Sequence, residues 1–211
     1  MRKFSGWTFA LAILVLGATA ARAQEKLVPE DGAIEVMLLK QASVREDLKL
    51  SHDEADKIHK HTSQQWKKAQ AVSKLPQAER DKKFAEMTKE NDLFIDQTVT
   101  KDQRRRLKEI ELQVAGLMCL TRPEIAGKLK LTDEQMKRVH QMQKVGRQEM
   151  EELLYATNPE SRQEKLAELR KTSRDRMLEL LTDEQEKTWA QMQGKRFNGE
   201  FDFGAKPAAA K

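Results

Sequence analysis

The sequence predicts an all-α protein, and three observations lead to that prediction. Apolar residues recur at spacings of three and four over most of the chain, which is the period of an amphipathic helix. One pentapeptide, LTDEQ, stands at both 131–135 and 181–185, with its Thr and Gln spaced as in a capping box that begins a helix. Charged residues make up 35% of the chain and aromatic residues 5%, which is typical of long, thinly packed helices.

The N-terminal residues have the pattern of a secretion signal. Arg2 and Lys3 precede an apolar run over residues 9–16, and Ala21 and Ala23 match a small-x-small cleavage site. We expect a signal peptide over residues 1–23, cleavage after Ala23 and a periplasmic or secreted mature chain. The apolar run is too short to cross a bilayer, so no membrane span is expected after cleavage. An uncleaved N-terminal anchor is the alternative.

The charge and motif content of the mature chain exclude several functions. Cleavage removes Arg2, Lys3 and Arg22, so the formal net charge falls to +5 − 3 = +2 and nucleic acid is not an expected partner. The sequence shows no catalytic triad order, metalloprotease helix or phosphate-binding loop. We therefore expect no enzyme and no cofactor.

The mature chain opens with a linker over residues 24–33 and an apolar helical segment between Ile34 and Leu50. Further helices are expected up to the proline at 76, from there to a box at Val99, and onward through the two LTDEQ copies. The helix that follows Leu50 is expected to bury a stripe of residues at helical spacing: Ala55, Ile58, Thr62, Trp66, Ala69 and Val72.

The chain contains four capping boxes of this kind, two with identical sequences and two that match less closely. In each, an apolar residue precedes a Ser or Thr cap, and three of the four place Gln three residues after the cap, where the fourth has Glu54. The residues assigned to this helix-cap motif are Leu50, Ser51, Val99, Thr100, Gln103, Leu131, Thr132, Gln135, Leu181, Thr182 and Gln185.

The boxes and the apolar residues repeat at an offset of 81 or 82. Leu39 superposes on Leu120, His59 on His140 and Thr100 on Thr182. We therefore expect a tandem duplication, with a first unit over residues 34–114 and a second over 115–197 that share a connecting helix. The remainder, 198–211, has no period and is expected to be a flexible tail.

Repeated LTxxQ boxes in an exported, Met-rich, highly charged chain resemble the LTxxQ-motif family of periplasmic stress proteins, the Spy/CpxP-like group. Leu131, Thr132 and Gln135 carry the resemblance, as do their counterparts at 181–185. Val99, Thr100 and Gln103 are a near match, whereas the box at Leu50 departs at its last two positions. The resemblance implies elongated helical hairpins that often pair into a cradle-like dimer, and family members typically have two boxes per chain.

The resemblance also implies a function. Such proteins hold unfolded clients without ATP or restrain an envelope stress sensor, and some bind metal. We expect an ATP-independent holdase for unfolded or partly folded envelope proteins, with a regulatory or metal-responsive partner of a sensor domain and a structural helical spacer as alternatives. Four boxes in one chain suggest a monomeric pseudo-dimer, and a homodimer is the alternative.

The remaining candidate residues each have a structural alternative. His52, His59 and His140 are weak candidates for a metal site, and a helix-surface position is the simpler interpretation. Cys119 aligns with Leu38 and is expected in the core, with a regulatory or intermolecular thiol as the alternative. The basic stretches at 67–68 and 104–106 fit either a solvated face balanced by acids or a basic surface for clients. The methionine stripes fit either core or client contact.

Overall fold

Every regular element in the described part of the chain is helical, which confirms the all-α prediction. The structure, a computed structural model, describes the backbone of residues 31–155 and 159–201 and the side chains of residues 34–149, 152, 165, 168–169 and 171–201. The helices are α1, Asp31–Leu39; α2, Ala42–Asp47; α3, His52–Val72; α4, Gln77–Thr98; α5, Lys101–Ala115; a 3-10 helix, Gly116–Cys119; α6, Pro123–Leu129; α7, Asp133–Tyr155; α8, Pro159–Leu180; and α9, Asp183–Gln193.

The predicted leader, with its cleavage residues Ala21 and Ala23, lies outside the described residues, as does the linker up to residue 30. Within residues 31–155 and 159–201, none of the helices combines the length and the apolar character that a membrane crossing requires.

The chain divides into two compact units. Among the described residues, the N-terminal unit comprises residues 31–111 together with Lys195–Gly199, and the C-terminal unit comprises residues 112–194 and 200–201. The division falls within α5. The boundary at 114/115 and the shared helix were inferred from the repeat, and they stay predictions.

The N-terminal unit is built on an antiparallel pair, α3 and α4, with α1 packed against both helices. The direction of the pair follows from its side-chain contacts, since His61 bonds to Asn91 and the later residue Gln65 bonds to the earlier residue Glu90. The buried apolar side chains of this unit are Val36, Leu38, Leu39, Val44, Leu48, Ile58, Val72, Ile95, Val99, Leu107, Ile110 and Phe197.

The C-terminal unit packs α7 against α8, with the 3-10 helix against both and α6 against α9. Gln143 is buried beneath the 3-10 helix, where its amide donates to the carbonyls of Leu117 and Met118 at 3.0 and 3.3 Å. The buried apolar side chains are Leu112, Ala115, Leu117, Cys119, Leu120, Ile125, Leu129, Val139, Met177, Leu180, Leu181, Trp189 and Phe201.

The same backbone turn occurs before α3 and before α7. Lys49 and Lys130 have φ angles of 52° and 51°, the left-handed conformation that often ends a helix. The next residue in each case, Leu50 or Leu131, donates its N–H at 3.0 Å to the carbonyl five residues back. A left-handed lysine is costly in itself, so these two turns are held by their hydrogen bonds and by the leucine that follows.

Buried positions also correspond between the units at the predicted offsets. The duplication stays a prediction, and these local correspondences support it because they concern burial and backbone turns as well as sequence letters. The buried pairs are Leu38 with Cys119, Leu39 with Leu120, Val44 with Ile125, Leu48 with Leu129, Ile58 with Val139, Ile95 with Met177, Val99 with Leu181 and Leu107 with Trp189.

One member of the predicted α3 stripe is misplaced. Trp66 is 44% exposed, whereas its neighbour Gln65 is buried. Both residues lie three or four positions after Thr62, so helical spacing cannot choose between them. Gln65 faces α4 and bonds to Glu90, while the Trp66 ring lies with Lys40 Nζ 5.8 Å from its centroid. The prediction that Trp66 is buried is therefore wrong.

The C-terminal residues are described up to Phe201. In this stretch Phe197 and Phe201 are buried, and Gly199 lies so close to Ser43 that a Cβ on the glycine would stand 2.6 Å from the serine Cβ. Residues 202–211, the larger part of the predicted flexible tail, lie outside the described residues.

Candidate functional site

Each of the four boxes forms reciprocal hydrogen bonds at the start of its helix. The cap hydroxyl accepts the N–H of the residue three positions on, and that residue's side chain accepts the N–H of the cap. The two distances, in that order, are 3.3 and 2.7 Å for Ser51 with Glu54, 3.3 and 2.7 Å for Thr100 with Gln103, 3.1 and 3.0 Å for Thr132 with Gln135, and 3.3 and 3.0 Å for Thr182 with Gln185.

The glutamines of the two LTDEQ copies also bond to each other. Gln135 Nε2 donates to Gln185 Oε1 at 2.7 Å, and Gln185 Nε2 donates to Gln135 Oε1 at 3.1 Å. Gln135 donates further to the carbonyl of Leu180 at 2.9 Å, and Gln185 to that of Lys130 at 3.4 Å. The starts of α7 and α9 are therefore joined side chain to side chain, a role that the sequence did not indicate.

The corresponding residues of the N-terminal unit form half of this arrangement. Gln103 Nε2 donates to the carbonyl of Leu48 at 3.2 Å, as Gln185 does to Lys130. The counterpart of Gln135 is Glu54, whose carboxylate closes its box but has no N–H to donate when ionised. The departure at Glu54 therefore removes the cross-link and keeps the cap.

A buried ionic cluster, formed by Glu35, Arg104, Lys108 and Glu111, lies within the N-terminal unit. Both carboxylates are fully buried. Arg104 Nη1 donates to Glu35 Oε2, and Lys108 Nζ lies 3.0 Å from Glu111 Oε2. Lys108 Nζ is 3.7 Å from Glu35 Oε1, which is too long for a hydrogen bond, and that oxygen has no hydrogen-bond partner among the residues that the structure describes.

Burial is the main cause that raises the pKa of Glu35, to about 7. Lys108 and Arg104 oppose this rise by favouring the charged form, while the nearby carboxylate of Glu111 adds to it. The unbonded Oε1 fits this direction, because a buried carboxylate oxygen without a donor gains from a proton. Glu35 is therefore a buried acid that changes charge near neutral pH.

Most of the large exposed apolar side chains lie on one helix pair. We call Trp66, Phe84 and Leu93 the hairpin surface, since all three lie on α3 or α4. Their exposed fractions are 44%, 36% and 63%, and the only other large apolar side chain in this class among those described is Val145, at 38%. Phe84 and Leu93 are nine residues apart on α4, about half a turn around the helix axis, so they face different sides of that helix. The three residues are thus separate exposed apolar positions on one hairpin, and each is available to a partner.

The interior of the same hairpin is partly polar. His61 stacks on Phe94 with ring centroids 3.8 Å apart and bonds to Asn91 Oδ1 at 2.9 Å. Gln65 donates to Glu90, but its buried Oε1 has no hydrogen-bond partner. A thin, partly polar interior leaves less apolar area to hold the two helices together, so directional contacts have a larger share.

Methionines are more exposed than the core interpretation predicts. Of those whose side chains are described, only Met177 is buried. The others are half-buried: Met37, Met87, Met118, Met136, Met142 and Met192. Half-buried thioethers can pack on the core and still present flexible apolar surface.

His52 and His59 lie on α3, and His140 lies on α7. His52, His59 and His140 are all exposed. Over the residues that the structure describes, no group of three His, Cys, Asp or Glu side chains is arranged to hold a metal ion. The fourth histidine, His61, has defined contacts, a hydrogen bond to Asn91 and stacking on Phe94.

The basic stretches are paired with acids. Arg105 pairs with Asp102 at 2.9 Å, and Lys68 pairs with Glu90 at 2.6 Å. Arg106 pairs with Asp47 at 2.7 Å and with Glu109 at 2.9 Å. Together with Arg104, all three arginines of the 104–106 stretch face carboxylates, which favours the balanced face over a basic surface for clients.

Cys119 is fully buried, as a core residue should be. Its Sγ lies 3.0 Å from the carbonyl of Gly116 within the 3-10 helix. A thiol in this position is not accessible to a second chain, which disfavours the intermolecular bridge.

Sequence reasoning missed the ionic cluster, although two signals pointed to it. Glu35 is a charge inside the apolar run 34–39. Arg104, Lys108 and Glu111 follow at spacings of four and three, so they share one face of α5. A lone acid in an apolar stripe and a mixed-charge face on another helix form the sequence pattern of a buried ion pair.

Comparisons with protein-family models, with curated proteins and with solved structures find no match to this chain. The resemblance to the LTxxQ family stays a prediction from the repeated boxes.

Proposed function

We propose that the chain is an exported helical binding protein that holds unfolded envelope proteins without ATP. The observation that carries the proposal is the hairpin surface, that is, three separate exposed apolar side chains, Trp66, Phe84 and Leu93, spread around a single helix pair. The secretion signal and the resemblance to LTxxQ-motif proteins supply the compartment and the class of client.

The surroundings of the hairpin surface suit loose and unselective contacts. Lys67, Lys89 and Glu86 are exposed on the same two helices, so the hairpin presents charges of both signs together with its apolar residues. The half-buried Met87 on α4 adds a flexible apolar side chain. A surface of this kind can contact many sequences without requiring one shape, as a holdase needs.

The test compares two sets of substitutions in an aggregation assay without ATP. The first variant removes the hairpin surface by W66A, F84A and L93A. The matched control carries Q70A and Q97A, which shorten exposed polar side chains on the same two helices. Light scattering of a heat-denatured client is followed at equal molar amounts of client and protein.

We expect the wild type and the control to suppress aggregation, and the triple variant to lose most of that activity. Equal suppression by all three proteins would show that the hairpin surface does not hold clients. Circular dichroism of each protein at the assay temperature ensures that a loss of activity is not a loss of fold.

A regulatory partner of a membrane sensor is the second candidate, favoured by the buried Glu35 with its pKa near 7. An acid that titrates in this range could couple envelope pH to the stability of the N-terminal unit. Saturable binding to one sensor domain, changing between pH 6 and 8, would favour this candidate over a holdase. A structural spacer remains the third, and it requires that an apolar dye not bind the native protein.

The four boxes further lead us to propose that one chain replaces a dimer of two-box modules. Light scattering of the mature protein should give the mass of a monomer. A stable dimer mass would favour the homodimer alternative.

A further inference from the structure

The segment Lys195–Gly199 belongs to the N-terminal unit, although the residues that precede it belong to the C-terminal unit. It contains no helix and follows directly after the end of α9 and Gly194, which has a φ of 58°. We call it the plug segment. An irregular segment must be held by specific contacts, because ordering it costs conformational entropy.

One contact is an aromatic side chain. Phe197 is only 3% exposed, although the segment around it is irregular. A Cβ on Gly199 would stand 2.4 Å from the Phe197 ring and 2.6 Å from Ser43 Cβ, so the chain folds back tightly over its own ring. Phe197 is therefore buried in the N-terminal unit with its ring against its own turn, close to Ser43.

The second contact involves the main chain of the plug segment rather than a side chain. Arg106 Nη1 donates to the carbonyl oxygen of Lys195 at 2.5 Å. Asp47 and Glu109 hold the guanidinium in place through ion pairs of 2.7 and 2.9 Å. A fixed donor of this kind contacts the main chain, so its hydrogen bond does not depend on the side chain of the residue that it binds.

We propose that this surface of the N-terminal unit is a binding site for polypeptide segments that carry a phenylalanine, and that the plug segment occupies it in the resting protein. The inference deepens the proposed holdase function and rests on it for its biological meaning. Unfolded proteins supply this ligand, since they expose both phenylalanine and main-chain carbonyls that folded proteins bury.

Tethering explains why the site is closed at rest. A segment linked to its own site acts at an effective concentration in the millimolar range. A free segment at micromolar concentration cannot displace it unless the plug is weakened. The bound plug lowers the apparent affinity of the site for a free peptide. Weakening the plug should therefore restore that affinity.

The experiment measures binding of a fluorescein-labelled peptide with the sequence of residues 194–200 to the purified full chain. Fluorescence anisotropy is recorded for the wild type and for F197A, which removes the aromatic side chain from the plug. We expect an apparent Kd at least tenfold lower for F197A. A peptide with alanine in place of its phenylalanine should not bind either protein.

G199A provides a second, independent way to weaken the plug, since its new Cβ would collide with the Phe197 ring and with Ser43 while Phe197 and Arg106 are unchanged. The matched control is G127A, because a Cβ on Gly127 meets no atom within 4 Å. We expect tighter peptide binding in G199A and wild-type binding in G127A. Thermal unfolding of each variant identifies any loss of fold.

Two results would overturn the inference. One is folded F197A and G199A proteins that bind the peptide no better than the wild type. The other is a dimeric wild type that becomes monomeric in F197A, because the segment would then fill the site of a second copy. The aggregation assay is evaluated separately. If F197A and G199A bind the peptide but do not prevent client aggregation, the holdase function is wrong and the peptide site is still supported.

Discussion

Gln135 and Gln185 join the starts of two helices that lie 50 residues apart in the sequence. In each glutamine, Oε1 accepts one hydrogen bond from the N–H of the threonine that caps its helix and another from the opposite glutamine. Each Nε2 also donates two bonds, one to the opposite glutamine and one to a main-chain carbonyl. Because every amide donor and acceptor is used, the pair orients α7 and α9 as well as capping them. The LTDEQ copies are therefore both helix-opening devices and a tertiary contact.

The first prediction separates these two roles. Q135E should keep the cap, since a carboxylate closes the equivalent box at Glu54, but it cannot donate to Gln185 or to the Leu180 carbonyl. Loss of two cross-bonds should lower the free energy of unfolding by about 1–3 kcal/mol. Urea denaturation of the purified protein measures the change.

The reverse substitution, E54Q, is its control. This change leaves a capping side chain in place and removes no cross-link, so the unfolding free energy should stay within about 0.5 kcal/mol of the wild type. If Q135E costs no more than E54Q, the amide pair has no stabilising role.

The second prediction concerns pH. The carboxyl of Glu35 loses its proton near 4.5 in the unfolded chain, but its pKa is about 7 in the folded protein. Between these values the folded chain binds more protons, so Glu35 makes stability fall as pH rises. In E35Q this contribution is absent, so relative to the wild type the variant should gain about 3 kcal/mol of unfolding free energy between pH 4.5 and 8.

Urea denaturation at several pH values gives both curves. Arg104, Lys108 and Glu111 face Glu35 in both proteins, so their contributions largely cancel in the difference. D102N, which neutralises an exposed carboxylate paired with Arg105, is the matched control and should follow the wild-type curve. If the difference in unfolding free energy between E35Q and the wild type stayed constant over this pH range, the raised pKa of Glu35 would be contradicted.

The third prediction is that Cys119 does not react with a water-soluble thiol reagent in the native protein. Its side chain is fully buried, so labelling should require unfolding. Absorbance of the released thiolate, measured with and without denaturant, is the readout. Rapid labelling of the native protein, or a disulfide-linked dimer in the absence of reductant, would favour the alternative interpretation of Cys119 as a regulatory or intermolecular thiol.

The fourth prediction is export with cleavage after Ala23. Mass spectrometry of the protein from a bacterial periplasm should show Gln24 as the first residue. A23D should block processing, because signal peptidase requires a small residue at this position. Full-length protein retained in the membrane fraction would instead support an uncleaved anchor.

Local features were predictable from the sequence because their causes are local. The caps Ser51, Thr100, Thr132 and Thr182 each stand directly before a helix, since hydroxyl caps satisfy N–H groups within three residues. The buried position of Cys119 followed from its apolar counterpart, Leu38.

Long-range features were not predictable in the same way. Glu35 and Arg104 pair across 69 residues, and the Gln135–Gln185 pair spans 50, so a local pattern can mark a member of such a pair but cannot name its partner. Spacing also failed to choose between Gln65 and Trp66, because both positions lie near the α4 side of α3 and only the packed partners decide. The plug segment has no period at all, so its docking could not be read from sequence.

The most direct measurement of the central claim is suppression of client aggregation by the wild-type mature protein, titrated against a denatured client in the absence of ATP. The account predicts that light scattering falls progressively and is largely abolished near equal molar amounts. Scattering that stays unchanged at equal and at several-fold excess protein would contradict the holdase function.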